Sequence, residues 1–268
     1  MKQQLLKATA SAVLLLSAVS MFSREAEATS GWLEQPGTVT VEGNPISTPI
    51  DPENPEEVVN PGESPSTEGP LRIDFVSTLD FGRADLTASA RTYTAFAQQF
   101  LGDTGPRGSF IQVTDQRTHA TGWTLQLKQN YQFRNAMIQE TSEQELNGAI
   151  LSLDKSWANS SGTSQAPTVT REPINLQTMD TAYELATATQ GNGRGVWVIA
   201  FGASQMNSNQ IENTLTPALD SSGQAIMDEF SGKAAYRNSA ISLTVPSTTT
   251  IHPLQYTTEL TWILAELP

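Results

Sequence analysis

The tripeptides Trp123-Thr124-Leu125 and Trp262-Ile263-Leu264 each sit in a run where a large apolar side chain recurs at every second residue, and that period predicts extended chain for both stretches. In the first run Trp123, Leu125 and Leu127 alternate with Thr124, Gln126 and Lys128; in the second Leu260, Trp262 and Leu264 alternate with Thr261 and Ile263. A period of two puts the Trp and the Leu of each tripeptide on one sheet face, about 7 Å apart. Each strand therefore carries an indole beside an isobutyl group on a face that must be buried or bound.

From Leu71 onward the other apolar signals are also short and mostly of period two. They are Leu71 to Phe75, Phe110 to Val113, Ala149 to Leu153, Tyr183 to Ala188, Val196 to Phe201, Ile241 to Val245, and Tyr256 to Leu264. Thr and Ser dominate between them, with Gly and Pro at the joints. Many short strands separated by turn residues predict an all-β fold, an antiparallel β-sandwich of Greek-key or barrel-like type, in one domain over 71–268. Two segments break the pattern and read as short helices: Asn135 to Leu146, and Ser221 to Phe230, where Ile226, Met227 and Phe230 share a face. Segments 155–170 and 202–224 are rich in Ser, Asn and Gly and read as long surface loops.

Gly122-Trp123-Thr124-Leu125 followed by Lys128-Gln129, together with the run Tyr256-Thr257-Thr258-Glu259-Leu260-Thr261-Trp262-Ile263-Leu264, resembles the WxL domain of Gram-positive surface proteins. Leu79-Asp80-Phe81-Gly82, Gly191-Asn192-Gly193-Arg194-Gly195 before Trp197, and Leu243-Thr244-Val245-Pro246 are similar to the same family. The resemblance spans 71–268. It implies non-covalent association with the cell wall through peptidoglycan and assembly with companion surface proteins of the DUF916 type. Adhesion to host extracellular matrix is a further implication. The binding residues it carries over are Trp123, Leu125, Trp262 and Leu264.

Lys2 and Lys7 precede an apolar segment centred on Val13 to Leu16, and Ala26-Glu27-Ala28 supplies the small residues that a signal peptidase reads. The segment is shorter than the roughly 20 residues of a membrane span, so residues 1–28 read as a secretory signal peptide cleaved after Ala28. No later segment is apolar enough to act as a transmembrane anchor. The chain has no Cys for lipid attachment, a disulfide or a thiolate metal site, and nothing after Leu264 resembles a sortase signal. Retention at the surface is therefore expected to be non-covalent.

Residues 29–70 hold eight acidic residues, no Lys or Arg, and eight of the fifteen prolines. That composition predicts a disordered, stiff spacer reaching on the order of 100 Å. Past residue 28 the net charge is −14, of which the spacer carries −8 and residues 71–268 carry −6. Nucleic acid is excluded as a partner, because no basic stripe is present to displace counterions from phosphates. Gram-positive walls are themselves polyanionic, so attachment has to work through stacking, hydrogen bonds or bridging cations, and added salt should hold or strengthen it.

Catalytic material is sparse, and no enzyme activity, cofactor or metal is expected. Gly162-Thr163-Ser164-Gln165-Ala166 departs from the nucleophile-elbow spacing at its last position. His119 and His252, the two histidines, fall in a polar stretch and a Pro-flanked turn and read as surface residues. Gly191 to Gly195 leads into a strand, whereas a phosphate cradle leads into a helix, so it reads as a turn or bulge. Two readings of the indoles stay open: Trp123, Trp157, Trp197 and Trp262 form an exposed platform that stacks on sugars, or they pack in the core. In the second reading the two tripeptides pair across one sheet and seal it.

Overall fold

The computed structural model describes residues 48–83 and 91–268. The strands are β1 (Leu71–Val76), β2 (Arg91–Phe96), β3 (Ser109–Asp115), β4 (Trp123–Gln129), β5 (Ile150–Leu153), β6 (Ser156–Asn159), β7 (Thr168–Val169), β8 (Ile174–Leu176), β9 (Ala182–Ala188), β10 (Gly195–Phe201), β11 (Leu215–Pro217), β12 (Tyr236–Val245) and β13 (Leu260–Glu266); each period-two run supplies one of them, and β2, β6, β7, β8 and β11 lie outside those runs. They form three sheets, with orders β1-β3-β10-β6, β11-β12-β5-β8 with β2 also on β12, and β13-β4-β9-β7. Every pairing between these strands is antiparallel, as the alternation predicts.

One core joins the three sheets. Ile111, Val113 and Ile199 enter it from the first, Leu151, Leu153 and Ile241 from the second, and Trp123, Leu125 and Leu127 from the third. The first sheet is buried on its other face as well, where Phe75, Phe110, Val198 and Trp157 form a second cluster closed by Val59 and Phe100. A register shift between Ile73 and Phe75 turns β1 so that these two apolar residues serve opposite clusters.

The cover over that second cluster corrects the spacer reading for residues 48–70. This stretch packs on the first sheet as a strap. The Gln112 side chain accepts from the Ile50 N–H and donates to Thr48 O, at 2.9 and 3.3 Å. Asp51 is buried and takes a two-pronged contact from Arg107, at 2.8 and 2.7 Å. Glu53 accepts from the Ser204 N–H and hydroxyl, both at 2.6 Å. Acidic, Pro-rich composition does read as disorder, but these two carboxylates have specific partners far along the chain. Residues 29–47, and the leader before them, lie outside the described residues, as does Trp32.

The two expected helices are also corrected, since the described residues hold no α-helix. Residues 135–146 fold back on themselves instead: Asn135 N–H donates to Gln144 O, Leu146 N–H to Phe133 O, and only Thr141–Glu143 form one 3₁₀ turn. Polar side chains take the backbone groups that a helix would pair, with the Gln144 amide on Ile138 O and Asn135 Oδ1 accepting from Met137 N–H. In 221–230 the Asp220 carboxylate collects the Ser222 and Gln224 N–H groups. Two narrow bridges, Leu219 with Ala225 and Met227 with Ala234, replace the helix. The segments read as loops contain the short strands β6, β7 and β11.

Candidate functional site

The two Trp-x-Leu strands are neighbours. β13 pairs with β4 so that Trp262 lies opposite Leu127, Leu264 opposite Leu125, and Glu266 opposite Trp123. Residues paired across a ladder share a sheet face, so Trp262 and Leu264 extend the row that β4 starts and lie against the main core. Among the described residues no strand pairs with β13 on its far side. That edge position leaves Trp262 and Leu264 half-buried, whereas Trp123 and Leu125 are both 0% exposed.

The Trp123 indole is fixed by the glycine-rich turn. Its N–H donates to Gly193 O at 3.1 Å, and Trp197 Nε1 donates to the next carbonyl, Arg194 O, at 3.0 Å. Gly193 has φ +64, and a Cβ there would stand 2.6 Å from the Ala188 Cβ, so the turn closes over the indole only with glycine. Trp157 is satisfied in the same way by Gly202 O at 3.0 Å. Three indoles are therefore internal, and they do not form the exposed sugar platform that stood as one reading.

The Trp123 end of the ladder is locked electrostatically. Arg117 holds Asp115 through two contacts, at 2.9 and 2.7 Å, reaches Glu266 at 2.8 Å, and donates to Gly122 O at 2.9 Å. Hydrogen bonding to Asp115 outweighs burial and holds this guanidinium above its ordinary value. The Thr121 hydroxyl donates to Leu267 O, tying the segment after β13 to the one before β4. Gly122 has φ +111, and a Cβ there would lie 2.4 Å from Ala188 O.

At its other end the ladder runs on beyond the sheet. Asn130 N–H donates to Glu259 O, and Arg134 and Thr257 exchange both backbone hydrogen bonds, at 2.9 and 3.0 Å. The Thr258 hydroxyl donates to Tyr131 O. Strands β4 and β13 thus act as a two-stranded strut, and its extension carries the folded-back segment 134–147. That segment encloses a polar cleft of about 390 Å³ lined by Arg134, Thr141, Ser142, Gln144, Glu145 and Asn147. The Arg134 guanidinium stacks over the Tyr131 ring at 3.9 Å. The turn is braced by His252 Nε2, 2.8 Å from Glu143 Oε2, and by the Thr249 hydroxyl on Asn147 O.

His119 is exposed in a bend. Among the described residues no three His, Cys, Asp or Glu side chains are grouped so as to hold a metal ion. No helix among them is long and apolar enough to cross a membrane. The cleft residues were not anticipated from the sequence, because Asn135 to Leu146 read as helix; the signal lies in the pairing of Arg134 with Thr257, which no local pattern records.

A scan against family profiles matches residues 28–268 to the family described as WxL domain surface cell wall-binding. The chain belongs to the WxL family. Its cell-surface, wall-binding character follows from that membership. Within this WxL chain the tripeptides that give the family its name build the β4–β13 strut, two of their four Trp and Leu residues being sealed inside it. Searches of curated proteins and of solved structures gave no match.

Proposed function

We propose that this WxL chain is an exported, non-enzymatic surface protein that is held on the Gram-positive wall by peptidoglycan, without a covalent link. The family match over 28–268 carries the reading. The strut supports it physically: the internal indoles make a rigid frame, so that polymer is bound by side chains on the folded surface. Sedimenting the purified chain with isolated peptidoglycan, stripped of its anionic wall polymers, tests this. Co-sedimentation is expected, and a chain left wholly in the supernatant would contradict it.

A second reading, that the direct ligand is a protein such as a DUF916-type companion or a host-matrix component, is favoured by one observation. Val58 and Leu101, 67% and 42% exposed, flank a cavity of about 560 Å³ formed by residues 48–49, 58–62 and 101–104. Phe230, also exposed, packs beside Gly62. Asp103 in the lining and the nearby exposed Glu56 and Glu57 would repel a polyanionic wall but complement a basic partner.

A further inference from the structure

We propose that the Arg134 cleft is a subsite for a carboxylate that neighbours an acylated N–H group, the chemistry shared by an N-acetylated amino-sugar ether acid and the C-terminus of an acylated peptide. This rests on the peptidoglycan reading above and gives it a place on the molecule.

Arg134 is an exposed cation in a chain that is strongly acidic. Arg72, Arg107 and Arg117 are each paired with carboxylates, and Arg91 and Arg237 donate to backbone carbonyls. Among the described residues the Arg134 guanidinium has neither, although Glu145 lines the same cleft and pairs with Arg134 through the backbone. Instead it lies over Tyr131, 3.9 Å from the ring centroid, a contact that favours one orientation of the planar fork and suits it to grip a carboxylate through two parallel hydrogen bonds. The strut fixes its backbone on both sides, to Glu145 and to Thr257, so little freedom is lost on binding.

The rest of the lining supplies the complementary acceptors. Gln144 and Asn147 each donate one amide N–H, to Ile138 O and Ser142 O, at 2.7 and 3.0 Å, which orients the amide and leaves its oxygen to accept from a ligand N–H or hydroxyl. A volume of about 390 Å³ accommodates one sugar or a dipeptide end. The Glu145 charge opposes any anion, so a single subsite should be weak, with dissociation constants of about 1 mM or above. Tight retention then comes from repetition along a polymer, which multiplies apparent affinity by roughly 10²–10⁴.

The test is a nitrogen–proton NMR titration of the purified chain with four probes: N-acetylmuramic acid, N-acetyl-D-alanyl-D-alanine, N-acetylglucosamine and inorganic phosphate. At least one carboxylated probe should shift the Arg134 Nε–H and the Gln144 and Asn147 side-chain signals to saturation, and which one does so identifies the source of the carboxylate. N-acetylglucosamine should not shift them. Arg134→Gln should weaken that probe at least 10-fold and Arg134→Lys by less, with the remaining spectrum unchanged. The inference is overturned if neither carboxylated probe binds, if phosphate binds as well as they do, or if Arg134→Gln binds like the native chain. Those results leave the wall reading standing where the native chain still sediments with peptidoglycan, whereas loss of sedimentation overturns the wall reading itself.

Discussion

Trp123 and Trp262 occupy the same motif position and do different work. Trp123 is sealed in the core with its N–H on Gly193, so Trp123→Ala should cost about 3–5 kcal/mol. Trp262, on an edge strand, should cost only about 1–2 kcal/mol on the same substitution, since it gives up less buried area. Thermal unfolding of the two variants checks the order, and equal losses would contradict it. Gly193→Ala should be destabilising by 1 kcal/mol or more, because it forces both a strained backbone and a collision with Ala188. Both tripeptides are visible in the sequence. Which of them is internal is not, because burial depends on β13 being at an edge, and that is fixed by strand order.

At the scale of elements, β1, β3, β4, β5, β9, β10, β12 and β13 were legible from alternation, while β2 and β6 were not read, and β7, β8 and β11, of two or three residues each, carry too little periodicity to stand out. The misread helices and the misread strap have a shared cause. Local composition favoured one state, and specific hydrogen bonds imposed another, distant ones such as Arg107 to Asp51 and Gln112 to Ile50 in the strap and side-chain bonds within the segment such as Gln144 to Ile138 in the lost helix. The strap has a consequence in acid. Burial pushes the Asp51 carboxyl up, but hydrogen bonds from Arg107, Glu53 N–H and Asn54, with the Arg107 charge, outweigh it and hold it below the ordinary range. A depressed carboxyl adds stability that is complete above its unfolded value and lost as pH falls through the folded one. Below about pH 4 the strap should loosen first, seen as loss of the native amide signals of Ile50 and Val59 before those of β3. Arg107→Gln, which leaves Asp51 and Glu53 buried without their cation, should produce the same loosening at neutral pH, at a cost of roughly 3–5 kcal/mol. Unchanged strap signals in both experiments would refute this.

The whole molecule is an anionic body that has to stay on an anionic surface. Screening weakens that mutual repulsion without weakening close hydrogen bonds in proportion. The fraction of chain bound to intact walls should therefore hold or rise between low salt and about 0.5 M sodium chloride, measured by sedimentation; release by salt would point to a basic contact surface that the described residues do not show. Family and fold class were readable from the tripeptides and the alternation around them, but the Arg134 cleft exists only where the two strands run on together past the sheet. In the proposed function the motif indoles shape the domain while other surface groups meet the polymer. Trp123→Phe keeps the core filled while removing the contact to Gly193 and the indole itself, so it separates the two roles. If its near-ultraviolet circular dichroism is native-like, it should sediment with stripped peptidoglycan as fully as the unaltered chain. A folded Trp123→Phe protein that no longer binds would place the indole at the wall and contradict the account.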